Sequence, residues 1–320
     1  SVKTGFDLQF VKDARATTPR LAYTFSSIDN YIAASQGSNP RAYSTFLQFL
    51  GPTDFEMNTS LFSAFIQDDW RIAPTFKVLY GLRYDLYNYP EGDPDAPFEY
   101  SREFNVDRNN LGPRLGAAWS IDDKTVLRAS TGIMYDQPLL AAYENAVQSN
   151  GVRSYTVSLS PTSAGAPAYP GSLSGTSGIT LPAQSIFAVD PAFTTMRTFQ
   201  SNVQLDRAIG TNYSASVGFV YVKGSDLPVV TNINLINPVG TLADGRPIYS
   251  TAVSAATRMD PRFNQINTMQ SIGESTYSGM TFQLTRRYSR GYQFDMNYTV
   301  AKGEDNAPLT STLSVQGDDG

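Results

Sequence analysis

The chain has 320 residues and contains neither cysteine nor histidine, which excludes a disulfide framework, a thiol nucleophile, a Cys/His zinc site and a Ser-His-Asp triad. Charged residues make up 17% and aromatics 12%, with 19 Tyr and 18 Phe, a charge content well below the roughly 25% of an ordinary soluble domain. The balance of 24 basic and 29 acidic residues, net −5, argues against a nucleic-acid partner, which calls for a basic stripe.

No run approaches the ~18 uninterrupted apolar residues of a transmembrane helix, and mean hydropathy is −0.26. No basic-then-apolar leader follows Ser1. The first ten residues already read as a strand, so the chain is expected to be a piece of a longer one. Strict alternation then recurs along the sequence. Phe76, Val78, Tyr80, Leu82, Tyr84 and Leu86 share one parity, against Lys77, Leu79, Gly81, Arg83, Asp85 and Tyr87. Residues 111–121 and 211–223 repeat the pattern, and 291–302 carries it furthest, with Tyr292, Phe294, Met296, Tyr298 and Val300 opposed to Gln293, Asp295, Asn297, Thr299 and Ala301. Such segments are strands with one apolar and one polar or small face.

In chain order the predicted strands are about 3–12, 58–72, 76–88, 111–121, 124–135, 197–208, 211–223, 273–288 and 291–302. Tight turns join four pairs, at Ala73-Pro74-Thr75, Asp122-Asp123, Ile209-Gly210 and Ser289-Arg290-Gly291. Long connections at about 13–57, 89–110, 136–196 and 224–272 separate them, and a polar outward loop is expected from Gly303 to Gly320. Short helices are expected at about Ile28 to Ser35 and Leu139 to Gln148. Long structureless connections are uncommon in compact soluble domains, whereas outer-membrane barrels alternate short periplasmic turns with long extracellular loops. Predicted strand lengths of about 10–16 residues also match a tilted membrane strand better than the globular mode. The fold class expected is therefore all-β, a partial antiparallel transmembrane β-barrel of about nine strands.

Trp70 and Trp119 sit just before two of the short turns, and Tyr288 and Tyr292 flank a third. This placement suits an interfacial aromatic girdle. Arg207 and Arg286 fall on the apolar parity close to turns, where they can snorkel to headgroups. Asp68 conflicts with the apolar face of its strand. A bulge near Gln67-Asp68-Asp69 or a position at headgroup level would each remove the conflict. The opposite parity, Lys77, Arg83, Asp85, Arg114, Arg128, Gln200, Gln204, Gln283, Arg287, Gln293, Asp295 and Asn297, is expected to line a wet lumen.

The phrases around the turns carry a resemblance. Residues 63–72, Ser-Ala-Phe-Ile-Gln-Asp-Asp-Trp-Arg-Ile, followed by Tyr80-Gly81-Leu82-Arg83-Tyr84-Asp85, resemble a hairpin of TonB-dependent outer-membrane receptors. Asn109 to Gly116 with Thr125 to Arg128 and Gly132 to Asp136 is similar to the next hairpin. Phe199 to Arg207 with Val220 to Ser225, and Tyr277 to Gly291 with Asn297 to Lys302, resemble two more. Their order is similar to that in the large receptors with a carboxypeptidase-regulatory-like N-terminal domain, the Oar-like branch. The resemblance implies a barrel of about 22 strands around a plug, an outer-membrane location, and coupling to TonB through a plug and box outside this chain. Residues 1–320 would then be part of one barrel domain, importing a siderophore, glycan or peptide. A passive porin or adhesin barrel is the alternative, and a soluble β-rich binding domain a third.

No catalytic constellation is expected. Asp68-Asp69 and Asp122-Asp123 are neighbours on strands, whose side chains point to opposite faces. Glu91, Asp93 and Asp95 offer oxygen ligands without EF-hand spacing, and Pro94 interrupts them; a solvated loop is the plain reading. Gly171 to Gly178 lacks the lysine of a phosphate loop. No metal or cofactor is assigned and no substrate-binding residue is identified. Loop aromatics (Tyr43, Phe46, Phe49, Tyr155, Tyr169, Phe187, Phe193) either stack on a ligand or hold the loops together.

Overall fold

The computed structural model describes residues 1–16, 21–52, 54–137 and 139–306. Nine long strands form one antiparallel sheet in which every strand pairs with its sequence neighbour. They are β1 (Val2–Ala16), β2 (Asp54–Ala73), β3 (Phe76–Asn88), β4 (Leu111–Asp122), β5 (Thr125–Tyr135), β6 (Arg197–Ile209), β7 (Tyr213–Asn232), β8 (Phe263–Ser289) and β9 (Tyr292–Asp305). The segment from 307 onward, expected as a loop, lies outside the described residues.

Alternation sets the two faces. Ladder partners such as Phe6 with Ala64, Ile66 with Leu82, Leu205 with Val217 and Phe282 with Tyr298 keep the apolar parity on one side of the sheet. That side is open: Phe6 is 81% and Tyr298 67% exposed. An apolar face turned outward is the inverse of a soluble sheet and the expected dress of a membrane wall. Gly81, Gly112, Gly116, Gly132, Gly218 and Gly279 fall on the opposite, polar face, where the Arg114 stem lies across Gly132.

All four short turns close where expected. Pro74-Thr75 and Asp123-Lys124 are two-residue links, and residues 210–212 form a three-residue link. In the last hairpin Arg290 and Gly291 both have positive φ, 52° and 88°, as a two-residue primed turn requires.

The strands exceed their predicted bounds at the loop end. β7 and β8 run on to Asn232 and back to Phe263, so the expected connection 224–272 shrinks to 233–262. The ladder shifts register between Gly224 and Leu227, around Asp226 at φ 59°, shifts again between Leu227 and Pro228, and then runs on to Asn232. Gly, Asp and Pro read as loop punctuation there, yet they mark a bulge inside a continuing hairpin. The bulge considered for Gln67-Asp68-Asp69 is absent: pairing runs unbroken from Ser60–Asn88 to Arg71–Lys77.

The long connections are folded. Gln184–Val189 joins the far end of β8 in parallel. Leu21–Thr24, Thr45–Leu50 and Tyr155–Leu159 form a separate three-stranded sheet. Helix α1 (Ile28–Ser35) begins at Ser27, whose Oγ accepts the Asn30 N–H at 3.2 Å, and α2 (Leu140–Gln148) starts one residue later than expected. Among the described residues no helix is long and apolar enough to cross a membrane.

A Cβ added at Gly81 would sit 2.7 Å from Gln67 Cβ and 2.9 Å from the Ile66 carbonyl, whereas one at Gly218 meets nothing closer than 3.9 Å. Gly81→Ala should therefore destabilise the detergent-solubilised protein by about 1–3 kcal/mol, read as a lowered urea midpoint, while Gly218→Ala leaves the midpoint unchanged or higher.

Candidate functional site

The ladder places the predicted polar-parity residues on one face but does not gather them into one site. Lys77 Nζ pairs with Asp69 at 2.6 Å, and Arg83 Nη2 with Asp85 at 2.9 Å. Arg128 pairs with Asp206, which also accepts from Gln204 at 2.8 Å and Ser216 at 2.7 Å. Asp295 accepts from Gln283 at 3.1 Å, Thr285 at 3.2 Å and Asn297 at 3.1 Å. These are separate clusters: Lys77–Asp69 bridges β3 and β2, Arg83–Asp85 lies within β3, and the other two lie on β5–β7 and β8–β9. The side chains of Arg114 and Arg287 have no ion-pair partner among the described residues. Asp206 was not singled out in the sequence; its parity with Gln204 was the available signal.

On the apolar face Trp70, Trp119, Tyr288 and Tyr292 are all exposed near the turn end. The two arginines there are held differently. Arg207 donates to Thr125 Oγ1 at 2.8 Å. Arg286 is buried: its guanidinium donates to the Tyr213 hydroxyl at 3.1 Å and stacks 3.4 Å over the Tyr292 ring, a cation–π contact that replaces snorkelling. Asp68 keeps its place on this face by accepting from the Tyr80 hydroxyl at 3.0 Å. Asp69 faces the other way, to Lys77, so the adjacent carboxylates share nothing. Asp122 serves its turn, accepting the Lys124 N–H at 2.7 Å.

Toward the loop end the polar face becomes dry. Phe55, Met57, Leu61, Tyr87 and Tyr89 occupy its parity and pack against Ala142, Tyr143, Ala146 and Val147 of α2, with Phe187, Phe193, Val230 and Met269 completing the core. The expected wet lining stops where α2 begins. Tyr89 and Tyr143 stack at 4.4 Å with planes 13° apart, and neither buried hydroxyl meets a hydrogen-bond partner among the described residues. Burial raises the pKa of both, and Tyr89 raises that of Tyr143 further. A second core unites Tyr43, Phe46, Val157, Leu159 and Ala166. Of the loop aromatics, Tyr43, Phe46, Phe187 and Phe193 are thus buried and hold loops together.

At its side the loop-end core opens into a cleft of about 580 Å³. Phe55, Met57, Tyr89 and Val147 form its apolar part, while Glu91 and Arg153 stand at the rim. Asp93, considered as a cation ligand, spends its oxygens on the Asp95 N–H at 3.1 Å and Asn150 Nδ2 at 2.9 Å. Among the described residues no three carboxylates gather where a metal could be held.

An outward apolar face, a ladder of nearest neighbours and folded loops at one end run through the whole chain, and residues 1–318 match the model of the outer membrane beta barrel domain. The chain belongs to this family. It is an outer-membrane β-barrel segment, with short periplasmic turns and long extracellular loops. Its fold is similar to that of the outer membrane transporter YddB from Escherichia coli (TM-score 0.55, 12% identity, covering 94% of this chain and 31% of that one). It is also similar to the FrpB iron transporter from Neisseria meningitidis, F5-1 variant (TM-score 0.52, 11% identity, covering 99% of this chain and 36% of that one). The barrel segment spans about a third of the length of these solved structures. No curated protein matches the sequence.

The extracellular loops of the barrel carry a pH signature. Tyr23 donates to the Gly171 carbonyl at 2.7 Å, and burial, with Tyr43 and Tyr169 adding to it, pushes its pKa up to about 12. A raised folded-state pKa stabilises fully below the ordinary value of 10 and is lost as pH rises toward 12. Protease resistance of the 21–50 loop should therefore hold to pH 10 and fall between 10 and 12, and Tyr23→Phe should flatten that fall.

Proposed function

We propose that the chain is part of the wall of a TonB-dependent outer-membrane receptor that actively imports a bulky nutrient, with Lys77, Arg83, Asp85, Arg114, Arg128, Gln283, Arg287 and Asp295 lining the lumen. The observation that carries this reading is the loop-end core seated on the polar face. A passive pore needs an open aqueous path along that face, whereas α2 and its apolar neighbours cover its loop end. A wall covered by its own folded loops suits a path that opens only when work is done, and coupling to the inner membrane through TonB would supply that work. The hairpin phrases that resemble TonB-dependent receptors of the Oar-like branch support the same reading, as does the fold shared with two outer-membrane transporters.

The sheet supports a larger barrel. Neither β1 nor β9 has a strand on its outer edge among the described residues. Main-chain groups left bare in hydrocarbon cost several kcal/mol each, so further strands must cover both edges. The plug and the TonB-binding box belong to other parts of the protein. Trp70, Trp119, Tyr288 and Tyr292 then mark the periplasmic lipid interface, with outer-membrane lipid as the constant partner and a siderophore, glycan or peptide as cargo.

Deletion of the whole gene should abolish growth on the cargo at limiting concentration, and plasmid-borne wild type should restore it. In the restored strain, removing TonB or collapsing the proton gradient should abolish uptake again. Uptake that persists without TonB would establish a passive porin instead.

A further inference from the structure

The cleft beside β2 has a feature that an ordinary pocket lacks: one of its walls is a bare strand edge. β2 pairs with β1 along its whole loop-end half, from Ala16–Asp54 to Val11–Thr59. On its other side, pairing with β3 stops at Ser60–Asn88. There the chain leaves the sheet because Tyr89 turns inward to stack on Tyr143, and Pro90 has no N–H to continue a ladder. Among the described residues, 55–59 thus have a strand partner on one side only. In an antiparallel ladder alternate residues direct both N–H and C=O away from the existing partner. The edge at Phe55–Asn58 and the facing residues Tyr89–Pro94 line a cleft of about 580 Å³. Its size lies within the range of ligand sites.

We propose that this cleft binds an extended peptide by strand addition to the bare edge of β2. The five-residue edge is about 17 Å long at the usual antiparallel rise, enough for a peptide of four or five residues. Alternate side chains of the added strand rest on Phe55, Met57, Tyr89 and Val147. The charges at the rim select the termini. Glu56 is already paired with Lys12 at 2.7 Å, and Asp93 with Asn150. Glu91 and the Arg153 guanidinium have no partner among the described residues. A carboxylate and a guanidinium on the rim of a mixed polar and apolar cleft match the amino and carboxyl termini of a short peptide. Main-chain pairing supplies affinity with little demand on sequence, and the apolar floor favours alternating apolar side chains. A glycan or a metal chelate offers no row of alternating amides and gains nothing from this edge. The inference stands apart from active uptake, since a peptide can bind here whether or not the barrel is energised.

The test uses the full-length protein in detergent and the pentapeptide VTVTV with free termini, followed by titration calorimetry. Two further peptides carry N-methyl groups, one on the odd and one on the even amides. Strand addition predicts one-to-one binding of the parent and of one methylated peptide, with at least tenfold weaker binding of the other. Blocking both termini, or the exposed-site changes Glu91→Gln and Arg153→Gln, should each weaken binding at least threefold. Absence of binding at 1 mM peptide, or equal weakening by the two methylated peptides, would overturn the proposal. No step of this assay depends on TonB, so its outcome is independent of the uptake experiment.

Discussion

Main-chain hydrogen bonding inside hydrocarbon governs this structure. A strand crossing lipid has no water to turn to, so each N–H and C=O needs a neighbour along the full crossing. The order of nine strands, each beside its sequence neighbour, is the direct answer, because a hairpin finds its partner with the least chain between. The same demand explains why Gly81 and Gly112 stand on the polar face. At Gly81 and Gly112 an added Cβ would approach a backbone carbonyl to 2.9 and 2.7 Å, so close packing of the ladder and of inner side chains excludes anything larger. The apolar face, free to spread into lipid, carries the bulk.

Beyond the membrane the constraint relaxes, and the architecture changes within a few residues. The β7–β8 hairpin tolerates a bulge at Asp226, accepts a parallel strand at 184–189 and extends a further six pairs from Leu227–Gly273 to Asn232–Asn267. Packing now does what lipid did below. Tyr143, fully buried with Phe104 and Phe193 edge-on to it, anchors α2 on residues that would otherwise line a wet wall. The loops therefore form a body with apolar cores of its own, fixed to the sheet through Phe55, Met57, Leu61 and Tyr87.

The membrane half was legible because lipid enforces a period of two on both faces. Parity alone puts Lys77, Arg128, Gln283 and Asp295 on one side of their strands, and in the ladder Lys77 and Arg128 both sit opposite Ala118, Gln283 opposite Asn297 and Asp295 opposite Thr285. The loop half was legible only in fragments. Helix α1 falls at the expected Ile28 to Ser35, while 224–232 and 263–272, expected as part of a long connection, continue the β7–β8 hairpin past Gly224, Asp226 and Pro228. Those residues mark a local bulge, a distinction that depends on whether a partner strand continues opposite. The dry core was hidden for a related reason. Leu61 and Tyr87 share the parity of Lys77 and Asp85, and only the inward fold of residues 136–196 decides which of them meets water. The bare edge at residues 55–59 depends on where β3 departs, set by a stack between Tyr89 and Tyr143, 54 positions apart in the chain.

Two kinds of open edge in this sheet have opposite meanings. The outer edge of β1 runs beside Phe6 and Phe10, 81% and 79% exposed, at the depth where an unpaired ladder is untenable, so it demands a strand of the same barrel. The edge of β2 at 55–59 lies at the water-exposed end, where its main-chain groups can hydrate and the structure survives without a partner. Proteins usually guard such edges with charge, short length or a covering loop. This one has charge and short length, through Glu56, Glu91 and Arg153 over five residues, but the covering chain at 89–94 stands off and leaves a cleft. Charge keeps out long, flat, apolar strands of other proteins, while short length limits what can pair. What passes both filters is a short peptide with charged ends, so the features that protect the edge from aggregation also define its ligand.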